Sequence, residues 1–150
     1  MPAGAASAIV EAPPEVVREL VVDYGKYSGY IKRFEQSKVV GKAKDKTDVY
    51  LQLPILKGAA KIWAVVRFEP PKTQGDWELI SARMLKGNVK RLDANWKLRK
   101  HGDSSTELQL ELLLVPDFPA PQSVVIPEVR DAAGTAVSGL RAAAEKRTRK

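Results

Sequence analysis

The familiar catalytic constellations are hard to assemble from the side chains of this 150-residue chain, which has one histidine and no cysteine. The only histidine, His101, lies in His101-Gly102-Asp103-Ser104, a turn composition between two strand-like runs, and reads as a solvated turn residue rather than a general base or ligand. Cysteine is absent, which removes disulfides, thiolate metal sites and cysteine nucleophiles together. A zinc or iron site would have to be built from carboxylates alone. Gly25 and Gly29 lack the following lysine and the strand-to-helix setting of a phosphate loop. Asp23 beside Tyr24 and Tyr27 has the makings of a proton-transfer group, though helix capping and hydrogen bonding suit Asp23 better. Tyr50, Gln52, Arg67, Arg83, Asp93 and Asn95 are the remaining polar candidates, and strand alternation sends most of them to an outer face. The expectation is no catalytic residue, no metal and no cofactor.

The elements that must position these residues follow a simple order. Residues 7–11 read as a strand, stopped by Ala12-Pro13-Pro14, and a short helix follows with Pro14 at its first position and acids in its first turn. The Gly-punctuated stretch 23–30, with tyrosines at 24, 27 and 30, is expected to be hinged and partly exposed, leading to a second helical turn near 31–34. From Ser37 the apolar period becomes two. Residues 37–42, 48–53, 59–69, 76–84, 89–100 and 105–115 are six strand-like runs, and the short connections between them make neighbours antiparallel. With a turn centred on Gly102, Leu98 is set across from Thr106, Trp96 from Leu108 and Ala94 from Leu110. In 59–69, Ala60, Ile62, Ala64, Val66 and Phe68 turn inward and Trp63 turns outward, while 76–84 fits either phase. After Pro116-Asp117-Phe118-Pro119-Ala120-Pro121 the chain is helical to its end, with Ser123 as N-cap and Pro127 in the first turn.

This pattern is α+β: seven antiparallel strands and one long helix to cover them. The apolar stripe of that helix is mostly alanine and valine, with Gly134 and Gly139 in its middle, and each glycine costs up to ~1 kcal/mol against alanine. Small residues beneath one helix spanning a curved sheet point to unfilled space, a cavity of the usual few-hundred-Å³ class. Its expected wall is Ala60, Ile62, Ala64, Val66, Leu92, Ala94, Trp96, Leu108, Leu110, Leu112, Ala133, Ala136, Val137 and Leu140, with Tyr24, Tyr27 and Tyr30 as the gate.

A formal charge of +7 raises the question of nucleic acid, but both halves of the chain are only mildly basic and neither forms an arm. Two clusters remain, Lys86, Lys90, Arg91, Lys97, Arg99 and Lys100 on one hairpin and Arg141, Lys146, Arg147, Arg149 and Lys150 at the C-terminus. They read as a solvated face and a solubilising tail, or as a peripheral contact with an anionic membrane; no nucleic acid partner is expected. No apolar run reaches the ~18 residues of a membrane span, and MPAGAAS has neither the basic start nor the apolar middle of a signal peptide. The expectation is a soluble monomer or weak dimer, cytoplasmic or exported after removal of a signal. Residues 1–6 are expected to be flexible, 7–147 to form one domain and 148–150 a basic tail.

Five stretches stand out together: Ala12-Pro13-Pro14-Glu15-Val16-Val17, Asp23 followed by Tyr27, Phe34-Glu35-Gln36-Ser37-Lys38-Val39-Val40, Asn95-Trp96-Lys97-Leu98, and the helix ending Leu140-Arg141-Ala142-Ala143-Ala144-Glu145. In their order and spacing the chain resembles the START-like polyketide cyclase/dehydrase and coenzyme Q-binding superfamily, also called SRPBCC proteins. The resemblance spans roughly residues 7 to 147 and implies the helix-grip fold: a seven-stranded curved antiparallel sheet wrapped around the C-terminal helix, with two short helices after the first strand and a ligand tunnel between sheet and helix. It also implies binding or transport of a hydrophobic small molecule such as a lipid, quinone or polyketide. No catalytic motif is shared across the family, so none carries over. The alternatives are an aromatase/cyclase-type enzyme, which needs polar groups such as Arg67 or Arg83 inside the tunnel, and a basic module docking on membranes or proteins.

Overall fold

The computed structural model describes residues 3–149. The strands are β1 (Ala3–Val10), β2 (Gln36–Ala43), β3 (Lys46–Ile55), β4 (Ala60–Phe68), β5 (Lys72–Gln74), β6 (Trp77–Gly87), β7 (Val89–His101) and β8 (Ser105–Pro116). The helices are α1 (Pro14–Val21), α2 (Tyr27–Tyr30) and α3 (Gln122–Thr148), with short 3-10 turns at Tyr24–Lys26 and Leu56–Gly58. All pairings are antiparallel, in the order β1-β8-β7-β6-β4-β3-β2, and the three-residue β5 folds back on β6. That eighth strand is too short and polar to announce itself in the sequence.

β1 begins at Ala3 rather than at the expected residue 7, and residues 3–6 pair with Leu113 to Leu110 of β8. Small side chains are what allow this. A Cβ on Gly4 would meet the Arg130 backbone at 2.7 Å, because β1 lies directly against α3. Met1 and Pro2 fall outside the described residues. At the other end α3 continues through Thr148 with Arg149 as its C-cap, which shortens the expected tail; Lys150 falls outside the described residues. The helix starts at Gln122 after Pro121 rather than at a Ser123 cap, and Pro127 therefore lies past the first turn, leaving the Ser123 carbonyl without its i+4 donor.

The helical insert also differs from expectation. Its turns fall at 24–26 and 27–30, and Ile31 is already extended. In the β7–β8 hairpin, His101 pairs with Ser105 and the chain reverses through Gly102 at φ 73°, so the turn centres on Asp103. Leu98 consequently faces Leu108, Trp96 faces Leu110 and Ala94 faces Leu112, two residues away from the expected partners. A shift of two preserves the faces, so the apolar rows still coincide. In β6 the inward phase is the one carrying Ile80 and Ala82, both buried.

The concave face of the sheet and the apolar stripe of α3 enclose the main core, with α1 packed against the helix and against β7 and β8. The nearest strands to α3 are β1 and β8, and the helix stands off β3 and β4. That asymmetry decides where space is left.

Candidate functional site

Space remains where α3 stands away from the sheet. A cavity of about 80 Å³ lies under the first half of the helix, where Val129, Ala132 and Ala136 form its roof. Its floor comes from alternate residues of five neighbouring strands: Leu51, Leu53 and Ile55 of β3, Ile62, Ala64, Val66 and Phe68 of β4, Ala82 of β6, Leu92, Ala94 and Trp96 of β7, and Leu110, Leu112 and Leu114 of β8. Period-two alternation puts all of these on one concave face. Ala133, Val137, Leu140 and Ala144 of α3 are buried in the main core instead.

Of the expected wall, Ile62, Ala64, Val66, Leu92, Ala94, Trp96, Leu110, Leu112 and Ala136 line the cavity. Ala60 belongs instead to a second apolar cluster around Ile55, Val89 and Val125. Leu108, Ala133, Val137 and Leu140 belong to the filled core and do not reach the space. Leu51, Leu53, Ile55 and Leu114 were missed although simple continuation of the strand alternation marks them; Val129 and Ala132 stand on the helix stripe. The two helix glycines do not make the room. Gly139 lets α3 approach the Tyr30 carbonyl, Gly134 faces open space, and neither lines the cavity.

The cavity is smaller than expected, well under the ~300 Å³ at which typical ligand pockets begin. Aromatic rings take up one end. Tyr27 meets Trp96 edge-on at 6.3 Å and Phe68 at 6.2 Å, Tyr24 stacks on Phe68 at 4.0 Å, and Phe34 completes the group. Tyr24 and Tyr27, expected in a mobile exposed gate, are 8% and 2% exposed. Burial pushes the Tyr24 phenol up to about 12, and burial first, then the neighbouring Tyr24, holds Tyr27 well above its ordinary value. The Tyr27 hydroxyl donates to the Val21 carbonyl. Only Tyr27 of the three touches the cavity; Tyr30 lies outside it and donates to Asp23 at 3.2 Å. The grouping of Asp23 with Tyr24 and Tyr27 is therefore not assembled as a proton relay.

Charge stays off the wall. Arg67 lies on the outer face, paired with Asp48 through bonds of 2.8 and 3.0 Å, and Arg83 stands beside it at the same level of the sheet. Glu128 is the one charged residue at the cavity, and its Oε2 is turned to the Arg33 guanidinium and to the Leu56 N–H at 3.0 Å. Arg33 also donates to Asp131. This cluster ties the segment after α2, the β3–β4 turn and α3 together at the cavity rim. Nothing in the sequence signalled it, since its members are far apart in the chain. Among the described residues no cluster of His, Cys, Asp or Glu is arranged to hold a metal.

The family model for polyketide cyclase / dehydrase and lipid transport matches residues 10–141. The chain belongs to that family. Its helix-grip architecture recurs in solved structures of this cyclase and START group. A START superfamily protein from Mycobacterium smegmatis superposes with a TM-score of 0.74 at 19% identity, covering 98% of this chain and 97% of that one. The Zhui aromatase/cyclase from Streptomyces sp. R1128 gives 0.76 at 16% identity, covering 97% and 94%. A STAR-related lipid transfer protein from Xanthomonas axonopodis gives 0.75 at 13% identity, covering 93% and 83%. No curated protein matches the sequence. Among the described residues no helix of this family member is long and apolar enough to cross a membrane.

Proposed function

We propose that the protein binds and carries a hydrophobic small molecule of the lipid, quinone or polyketide kind between the sheet and the first half of α3. The observation that carries this reading is a cavity walled by carbon, with its one carboxylate turned away into an ion pair. An apolar guest is held there by removal of its surface from water, ~25 cal/mol per Å², with no polar group on the wall left to satisfy. Its neighbours in structure include both a lipid transfer protein and an aromatase/cyclase. The carrier reading is favoured because Arg67 and Arg83, the groups a cyclase would need inside, lie on the opposite face of the sheet.

At about 80 Å³ the resting cavity does not hold a lipid, so uptake requires its rim to move. The Arg33–Glu128–Leu56 cluster is the hinge point of that movement, in place of the buried tyrosines. It joins α3 to the strands from which the helix already stands apart.

Native mass spectrometry of freshly purified protein, with solvent extraction and analysis of what is released, tests the reading. A stoichiometric apolar molecule is the expected result, together with displacement of a bound solvatochromic dye by added lipid or quinone. An Ala132→Phe variant, which fills the roof, is expected to fold and to lose dye binding. A wild-type protein that takes up neither dye nor lipid sinks the carrier reading.

A further inference from the structure

The outer face of the sheet carries a second feature, unconnected with the cavity. Two of its strands contain β-bulges: in β2 the register against β3 jumps between Val39 and Gly41, and in β6 the register against β4 skips Leu85. Each bulge therefore inserts one extra residue, and in each case that residue is a large apolar one facing water: Val40 is 51% exposed and Leu85 44%. A bulge re-aims a side chain at the expense of a ladder bond. Between the two lie Tyr50, Val65 and Trp63, with the Tyr50 and Trp63 rings stacked at 6.2 Å and Trp63 itself 36% exposed. Together with Lys86 and Asp48 these five residues enclose one shallow depression. Half of the large exposed hydrophobic side chains of the described residues are thus gathered on one patch, where scattered single ones would need no explanation.

The charges around the patch have one sign once ion pairs are counted. Asp48 is held by Arg67, and Glu35 by Lys61. Lys38, opposite Tyr50, Lys86, opposite Val65, and Arg83, opposite Arg67, form no ion pair among the described residues. An apolar centre with two interfacial aromatics and a cationic rim matches an anionic lipid surface. A second copy of the chain is disfavoured, since each copy carries +7 and would bring the same cations together. A rigid protein partner is disfavoured by size. Four exposed or half-exposed side chains around the buried Val65 fall far below the about 800 Å² per partner that a stable complex buries.

We propose that the outer face of β2, β3, β4 and β6 docks this protein on anionic membranes, with Val40, Trp63 and Leu85 entering the headgroup region and Lys38, Arg83 and Lys86 meeting lipid phosphates. The docking does not depend on an occupied cavity.

Sedimentation with vesicles of phosphatidylcholine, with and without phosphatidylglycerol, tests this. Binding is expected only to vesicles containing phosphatidylglycerol, and to weaken as salt is raised. A Val40→Ser/Leu85→Ser variant is expected to bind at least about tenfold more weakly. Replacing Lys38 and Lys86 by Gln is expected to lower affinity about fivefold for each cation removed. Each of these residues is on the surface, and an unchanged urea midpoint confirms that the variants fold. In a Trp77→Phe background, which leaves Trp63 and the buried Trp96, brominated-chain lipids are expected to quench Trp63. The proposal is overturned by absence of binding to phosphatidylglycerol vesicles. It is also overturned by binding that survives the Val40/Leu85 changes but is lost on neutralising Arg141, Lys146 and Arg147, or by a dimer that those changes dissociate without any vesicle binding.

Discussion

Gly4 of β1 and Arg130 of α3 are packed backbone to backbone, with no room for a methyl group between them: a Cβ at Gly4 would fall 2.7 Å from both the amide nitrogen and the Cα of Arg130. This contact sets one edge of the sheet directly against the helix, which packs on β1 and β8 and stands off β3 and β4. The cavity lies in the gap on that far side. Gly4→Ala is expected to force strand and helix apart and to destabilise the protein by about 1–3 kcal/mol, read as a lower urea midpoint. Gly134→Ala is the contrasting case. Nothing lies within 4 Å of its would-be Cβ, so the helix propensity of alanine is expected to stabilise by up to ~1 kcal/mol.

These glycines show why the sequence led to the right architecture by a partly wrong route. Seven of the eight strands and the inward faces of β4, β7 and β8 could be read from the sequence pattern, because burying one face of a sheet leaves a period of two. The cavity was inferred from small residues on α3, yet Gly139 serves close approach to Tyr30 and the space lies elsewhere along the helix. Where a helix tilts over a sheet depends on contacts between residues distant in the chain, such as Gly4 with Arg130 and Arg33 with Glu128, and no local pattern encodes them. The tyrosines were misjudged for a related reason. Glycine-rich spacing looks mobile in isolation, but Phe68 and Trp96, brought in by the sheet, give Tyr24 and Tyr27 rings to pack on.

Burial of Tyr24 has a consequence at alkaline pH. Its phenol is displaced upward from 10.0 to about 12, because the folded environment disfavours the charged phenolate. The stabilisation this represents is present in full below about pH 10, where folded and unfolded chains are both neutral there, and is lost as pH rises through 12. Tyrosinate absorbance is expected to appear late for this residue, and together with that of Tyr27 to rise with the unfolding seen by circular dichroism. Full ionisation of all four tyrosines near pH 10 in a folded protein would contradict the packing described.

Glu128 offers a handle on the cavity rim. It joins α3 to Arg33 and to the Leu56 N–H, and Leu56 and Lys57 sit at φ 53° and 57°, a strained turn held in part by that bond. Glu128→Ala is expected to release both partners and to speed dissociation of a bound apolar dye by about tenfold, measured by stopped-flow displacement. Equilibrium affinity should change much less, since the apolar wall is kept. An unchanged off-rate would place access to the cavity elsewhere.

Apart from the phenols of Tyr24 and Tyr27, Thr106 is the one buried polar side chain among the described residues, fully enclosed between β7 and β1. Its hydroxyl donates to the Ala12 carbonyl at 2.8 Å, just where the chain leaves β1 and turns into α1 at Pro13-Pro14. That carbonyl is thereby given a partner at a point where the following prolines supply no N–H. Thr106→Val keeps the shape and removes the donor, so it is expected to destabilise by about 1–3 kcal/mol. The loss should be largely restored in Thr106→Ser, which can rebuild the hydrogen bond at the price of one methyl group. Urea denaturation of the three proteins separates the two contributions: a loss in the Ser variant with none in the Val variant would mean that packing of the methyl, not the hydrogen bond, holds the β1–α1 corner.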